Sequence, residues 1–298
     1  MKKITVFTPT YNRAYCLHRC YESLKRQTSN SFTWLIIDDG STDDTYDLVL
    51  SWINENHIEI KYFWQENQGM HAAHNTAYKF IDTELNVCID SDDYMPKDAI
   101  EKIINYWDKY GNAEVSGIIG LDSDFRGGII GSYLPTDIEK STLFHLYNKY
   151  GVKGDKKLVY RTELTKNYQY PIFPDEKYVG LAYKYYKLDQ HYEMLLMNEV
   201  LCCVEYLPDG SSMNMISQYI KNPRGFAFYR KELMKLPYCN IFFKFKQAIH
   251  YVASSCISKN KKFLIETPCK LLTILATPIG LTLYGYIITK SKKVNISS

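Results

Sequence analysis

Acidic residues almost disappear after position 214. Residues 215–298 hold 2 Asp+Glu against 14 Lys+Arg, a balance of +12, whereas residues 1–214 hold 31 against 22, a balance of −9. The overall charge of +3 therefore sums an acidic body and a basic tail. Such asymmetry points to an anionic surface as partner. None of the eight cysteines forms a Cys-x-x-Cys pair, which argues against a zinc site or a thioredoxin-type motif. Several sit in apolar runs, as small hydrophobes in a reducing cytosol would. Met1 to Arg13 lacks the apolar core of a secretory signal, its short apolar run being broken by Pro9. No Gly-x-Gly-x-x-Gly follows the first predicted strand and no Gly-Lys-Ser/Thr loop occurs, which argues against a dinucleotide site and a P-loop. No nucleic-acid module accompanies the basic tail, so nucleic acid is not expected as its partner. With 46% apolar and 23% charged residues, the 298-residue chain is neither disordered, collagen-like nor a multi-span membrane protein.

The first 120 residues alternate between strand and helix patterns. Lys3–Thr8, Trp34–Ile37, Ile58–Trp64 and Val87–Asp90 read as strands. Between and after them, Ala14–Gln27, the stretch from Ser41 through Asn54, Gly69–Ile81 and a stretch opened by Pro96 read as helices. Val115–Leu121 and Gly127–Ser132 look like further strands. This order predicts an α/β fold with a mostly parallel central sheet flanked by helices. Residues 133–214 are less regular and Tyr-rich. Beyond 215 the pattern is helical, over Asn222–Lys235, Cys239–Ser258 and Phe263–Thr289. The expected organisation is a catalytic domain over 1–214, in halves 1–121 and 122–214, and a basic helical region over 215–298.

In an open parallel sheet, ligands bind beyond the carboxyl ends of the strands. Three predicted strands end in polar clusters there: Thr8-Pro-Thr-Tyr-Asn-Arg13, Asp38-Asp-Gly-Ser-Thr-Asp43 and Asp90-Ser-Asp-Asp93. The carboxylates of these clusters, gathered on one rim, repel one another, so a cation is expected among them. Mg²⁺ or Mn²⁺ suits such oxygen donors. Taken singly, Asp38-Asp-Gly-Ser also reads as a turn plus helix cap, and Asp90-Ser-Asp-Asp as a solvated loop.

Together these residues resemble the family-2 glycosyltransferases with the GT-A fold. The resemblance rests on Thr8-Pro-Thr-Tyr-Asn-Arg13, the run from Ile36 to Thr45, Asn67-Gln-Gly with Ala73-His-Asn75, and Ile89-Asp-Ser-Asp-Asp93 as the Asp-x-Asp motif. A weaker match continues through Gly154-Asp-Lys and Phe173-Pro-Asp-Glu-Lys-Tyr178 to Tyr206-Leu-Pro-Asp-Gly-Ser211. The resemblance implies that Pro9, Tyr11 and Arg13 line a nucleotide pocket. It implies that Asp39, with Asp38 beside it, accepts hydrogen bonds from the uracil or ribose. Asp90 would contact the ribose or the metal's water shell. Asp92 would ligate the metal, with Asp93 assisting. Glu176 is the implied catalytic base and Asp175 the fallback. A basic residue common in relatives after the glycine is replaced by Met70, so either His71 or His74 takes over nucleotide contact, with Asn75 alongside, or that contact is absent. The Gln-x-x-Arg-Trp signature of processive members is absent, since the last Trp is Trp107.

The implied reaction is inverting transfer of one sugar from a nucleotide-diphosphate donor, a UDP-sugar by preference, to a hydroxyl of a glycan or polyprenyl-linked glycan in bacterial surface-polysaccharide assembly. The competing readings are a catalytically inactive GT-A-like binding subunit and a sugar nucleotidyltransferase. The latter wants a glycine-bearing loop after the first strand, which Thr8–Arg13 lacks. Leu271–Thr289 carries no charge over 19 residues, and lysines flank it from 259 to 293. Pro278 and Gly280 are expected to interrupt it, which favours an in-plane or re-entrant helix pair on an anionic membrane over a single span. A helix docked on protein is the alternative. The expected location is cytoplasmic, peripheral on the inner face of the plasma membrane. Homo-oligomerisation is left open.

Overall fold

A computed structural model describes residues 2–205 and 215–294. The run from Tyr206 to Ser211 lies outside the described residues. The chain divides into two compact units. One comprises the residues up to Gln169 with the segment that starts at His191; the other comprises Tyr170–Gln190 with the C-terminal helices. The division differs from a single boundary at 214, because Tyr170–Gln190 groups with the helices.

The first unit is built on an eight-stranded sheet. Its strands are β1 (Ile4–Thr10), β2 (Phe32–Asp38), β3 (Ile60–Trp64), β4 (Leu85–Cys88), β5 (Val115–Ser123), β6 (Lys140–Ser141), β7 (Lys156–Arg161) and β8 (Glu193–Cys203), in spatial order β3-β2-β1-β4-β7-β5-β8-β6. The first four in that order are mutually parallel, and β7 inserts antiparallel between β4 and β5. Helices α1 (Ala14–Lys25), α2 (Thr45–Glu55), α3 (Met70–Phe80) and α4 (Ala99–Tyr110) follow the four parallel strands in turn. Strands β1 and β2 are buried along their whole length, as central parallel strands covered on both faces must be. Trp34 of β2 stacks within a cluster with Tyr21 and Trp52, the Tyr21–Trp52 rings 4.4 Å apart, and its indole N–H donates to Thr8 Oγ1 at 3.0 Å. Aromatic faces and a satisfied N–H thus lock α1 and α2 onto the sheet.

Two local expectations are corrected. Gly127–Ser132 forms no strand among the named elements; only Ile129 bridges to Ser123. Asp124 Oδ1 accepts from the N–H of Arg126 and of Gly128, which closes the segment into a turn. The helix after Pro96 starts at Ala99, past a turn in which the Ala99 N–H donates to the Pro96 carbonyl.

Short helices α5 (Leu143–Asn148) and α6 (Thr162–Thr165) complete the first unit. The second holds α7 (Ala182–Leu188), α8 (Met215–Lys221), α9 (Pro223–Lys235), α10 (Ile241–Ile257), α11 (Phe263–Glu266) and α12 (Lys270–Val294). The expected break at Pro278 and Gly280 does not occur, and no re-entrant pair forms. Instead α12 runs 25 residues with Pro278 inside it. Neighbouring threonines turn their hydroxyls back on carbonyls four residues earlier, Thr277 onto Thr273 and Thr282 onto Pro278. Gly280 lets α12 approach α10 closely, since a Cβ there would lie 2.6 Å from Val252 Cβ. The break falls earlier, at Thr267–Cys269, where Pro268 separates α11 from α12.

Lys184 of α7 is buried to 1% exposure, with its ammonium 5.0 Å from the Tyr170 ring. Burial pulls its pKa from 10.5 down to about 6. Between those values the unfolded chain holds a proton that the folded chain lacks. Stability should therefore rise with pH across that window, by up to about 1.4 kcal/mol per unit. Lys184→Met should flatten this rise and raise the melting temperature at pH 7. Thermal unfolding from pH 6 to 9 checks this, and an unchanged slope in the variant would sink the assignment.

Candidate active site

The polar loops that follow β1, β2 and β4 all leave the carboxyl ends of adjacent parallel strands. Side chains tie the first two loops together. The Asn12 N–H donates to Ser41 Oγ at 2.8 Å, and Asn12 Oδ1 accepts from the Thr42 N–H at 2.8 Å. Asn12 sits at φ 53, a left-handed conformation that Asn tolerates better than most residues. The Ala14 N–H at the start of α1 donates to Asp43 Oδ2 at 3.0 Å. These bonds leave Tyr11 46% exposed on the rim, with Arg13 half-buried behind it.

Asp38 and Asp39 are both buried. Asp38 accepts from the Ser41 N–H at 2.7 Å and the Tyr62 hydroxyl at 2.6 Å. Asp39 accepts from Gln65 Nε2 at 2.7 Å, the Gln68 N–H at 3.0 Å and the Gly69 N–H at 2.7 Å. Its carboxylate thereby fixes the Asn67-Gln-Gly loop and the start of α3. Gly40 makes this possible: it sits at φ 85, and a Cβ would lie 2.8 Å from the Asn67 nitrogen. Both aspartates thus hold the loops around them in place.

His71 and His74 lie on the inward face of α3, each 1% exposed. His74 Nδ1 is 3.3 Å from the Tyr78 hydroxyl, and its ring meets Phe7 edge-on at 5.0 Å. Asn75 is half-buried on the same helix.

After β4, the Asp93 N–H donates to the Asp90 carbonyl at 3.0 Å, closing a tight turn. Asp90 and Asp92 are half-buried, but Asp93 is only 3% exposed. Asp93 accepts from the Glu205 N–H at 3.4 Å, and its Oδ2 lies 3.9 Å from Lys157 Nζ. Lys157 Nζ also lies 3.9 Å from Asp122 Oδ1 of β5 and donates to the Cys88 carbonyl at 3.4 Å. Burial pushes the Asp93 carboxyl up, Lys157 opposes, and Asp90, Asp92 and Asp122 reinforce the rise. Burial pulls Lys157 down, but Cys202 and the three carboxylates Asp122, Asp93 and Asp90 together hold it well above its usual value. Asp93 therefore faces inward to a lysine. Sequence reading missed Lys157; its signal was a charged residue in the alternating run Lys156–Arg161.

Among the described residues, no three His, Cys, Asp or Glu side chains form a closed metal site. Two carboxylates on an open turn suit a hard divalent ion whose remaining ligands are phosphate oxygens and water. Asp90 and Asp92 fit that description.

Residues 5–168 match the family described as Glycosyl transferase family 2. The chain belongs to this family. As a family-2 glycosyltransferase it is 34% identical over 108 residues to Glycosyltransferase GlyA of Streptococcus pneumoniae, covering 35% of this chain and 15% of that protein. It is 34% identical over 106 residues to Chondroitin synthase of Escherichia coli, covering 36% of this chain and 15% of the relative. The matched region thus spans about a sixth of these relatives' lengths. Among solved structures, residues 1–349 of TarS from S. aureus superpose with a TM-score of 0.60 at 17% identity, covering 98% of this chain and 91% of that one. The mannosyltransferase PcManGT from Pyrobaculum calidifontis, solved with GDP-Man and Mn²⁺, gives 0.54 at 18% identity, covering 97% and 83%. These likenesses establish the GT-A-type fold of this glycosyltransferase.

The two remaining candidates belong to the second unit. Glu176 is 6% exposed and caps α9: Oε1 accepts from the Arg224 N–H at 3.0 Å and Arg224 Nε at 2.8 Å, and Oε2 accepts from the Gly225 N–H at 2.7 Å. A carboxylate at a helix N-terminus is stabilised by those donors and by the helix dipole. Its neighbour Asp175 is exposed and held at φ 64. Glu176 is thus engaged by the start of α9, whereas the Asp175 side chain is exposed.

Proposed function

We propose that this glycosyltransferase is an inverting, divalent-metal-dependent, non-processive enzyme. It moves one sugar from a UDP-sugar to a hydroxyl of a glycan or lipid-linked glycan in bacterial surface-polysaccharide assembly. The observation that carries the donor reading is the open Asp90–Asp92 turn at the end of parallel β4, beside the joined loops of β1 and β2. Support for UDP comes from the TarS structure solved with UDP-GlcNAc, which superposes with a TM-score of 0.60. Mn²⁺ or Mg²⁺ held by Asp90 and Asp92 would supply charge stabilisation to the departing diphosphate. Tyr11 lines the nucleotide side, with Pro9 buried beneath it at the end of β1, and Asp39 fixes the neighbouring loop. Asp175 takes the proton from the acceptor hydroxyl as its oxygen attacks the anomeric carbon. One base with in-line attack inverts that carbon. Turnover of a panel of nucleotide sugars by the full chain, read as released nucleoside diphosphate, tests the proposal. Release from a UDP-sugar supports it, and no release from any donor contradicts it.

The basic helical unit offers the enzyme a place to work. Helix α12 turns Thr273, Ala276, Gly280 and Ile287 inward, while Leu271, Leu275, Ile279 and Tyr286 stand exposed. Lys270–Ser291 is long and apolar enough to cross a membrane, with mean hydropathy 1.8. Lysines at both ends oppose a single crossing. The proposed arrangement is α12 lying in the plane of an anionic cytoplasmic leaflet, with lysines contributing about 1 kcal/mol each near the surface. Co-sedimentation should show the full chain on vesicles containing phosphatidylglycerol, with less on phosphatidylcholine. Leu271→Asp with Leu275→Asp should release it. A full chain that stays in the supernatant with both vesicles would refute the arrangement.

A further inference from the structure

We propose that Lys157 is a positioning residue for the donor site. Its ammonium turns Asp93 inward and so sets the turn that presents Asp90 and Asp92. The inference rests on the reading of that turn as the donor's metal site.

Three pieces of backbone converge on this one side chain, which is 12% exposed. Lys157 lies on β7, the antiparallel strand beside β4. Its Nζ donates to the carbonyl of Cys88, the last residue of β4, and lies 3.9 Å from Asp93 after β4 and 3.9 Å from Asp122 on β5. The lysine thus binds both the strand end from which the acidic turn departs and the residue at which the turn closes.

The cation also divides the acidic cluster. Asp93 and Asp122 are 3% and 2% exposed and face an internal countercharge. Asp90 and Asp92 keep access to solvent. Placing all four carboxylates around one external ion would leave two of them too deep to reach it. With Lys157 present, only the two outer carboxylates carry charge to the donor. Without it, Asp93 loses its cation and Asp122 is left with Lys156 alone, which is unfavourable for two buried carboxylates. Asp93 is then no longer held inward, and a swing of its side chain disturbs the turn that its N–H closes on the Asp90 carbonyl. Arg could keep the charge at this position, but Met could not.

The test titrates the full chain with UDP and Mn²⁺ by calorimetry at low temperature, alongside melting curves without ligand. Lys157→Met should weaken UDP–Mn²⁺ binding by about 10–100-fold, a loss of the size seen when groups that support a metal site from outside its ligands are removed. Lys157→Arg should recover most of the affinity. A triple variant, Lys157→Met with Asp93→Asn and Asp122→Asn, removes the stranded charges and guards against a failure of the single variant to fold. It should regain the melting temperature but not the affinity. Wild-type affinity in a folded Lys157→Met chain would overturn the proposal, as would a triple variant restored in both respects. If the wild-type chain itself ignores UDP and Mn²⁺, the donor reading fails instead. The lysine's coupling to Asp93 is then still read from melting temperatures, where Lys157→Met and Asp93→Asn should be non-additive. Additive effects would remove the proposed link between the two residues.

Discussion

Asp175→Asn is expected to lower kcat by about 10²–10⁴-fold, the usual contribution of a general base, with little change in melting temperature. Asn is one of the few side chains at ease in the left-handed conformation that residue 175 adopts at φ 64. The substitution therefore removes the charge and spares the backbone. Glu176→Gln should behave differently. The glutamate oxygens accept from two backbone N–H groups and the Arg224 side chain. An amide must turn an NH₂ toward one of these donors, at a cost of about 1–3 kcal/mol. The expected signature is a lower melting temperature, with kcat largely kept in the folded fraction. A normal kcat for Asp175→Asn beside a collapsed kcat in a stable Glu176→Gln chain would return the base to Glu176.

The second large effect is expected at Asp92. Asp92→Ala should slow transfer by about 10³-fold, since metal ions stabilise developing charge by several kcal/mol and each 1.36 kcal/mol is a factor of ten. Asp93→Asn provides the contrast. Its carboxylate faces Lys157 and the Glu205 N–H, so its loss should lower stability more than it alters the response of turnover to metal concentration. If Asp93→Asn and Asp92→Ala give the same metal response, Asp93 is a ligand after all.

The sequence showed these features unevenly, for physical reasons. Strands β1, β2 and β4 are buried, and their apolar runs end abruptly in polar loops, so both the strands and the rim were readable. Strand β7 reads Lys-Lys-Leu-Val-Tyr-Arg, and a charged opening suggests a surface. Its second lysine instead meets buried carboxylates, a pairing that only the antiparallel insertion between β4 and β5 creates. Strand β8 is interrupted by Asn198 and Glu199 and bulges against β5, which hid its period. The two isoleucines in Gly127–Ser132 suggested a strand, but Asp124 and its glycines close a turn. Among site residues, the aspartates were legible as a group because they follow buried strands. Their different environments were not, because burial separates Asp93 from Asp92 and hydrogen-bond partners separate Glu176 from Asp175. Pro278 misled for a related reason: packing against α10 carries the helix through a residue that local propensity would use to stop it.

The central claim is that the Asp90–Asp92 turn receives a nucleoside diphosphate through a divalent ion. Calorimetric titration of the full chain with UDP, with and without Mn²⁺, tests it most directly. The account predicts binding only when Mn²⁺ is present, and none in Asp92→Ala under the same conditions. Equal binding in EDTA and in Mn²⁺, or undiminished binding by Asp92→Ala, would contradict it.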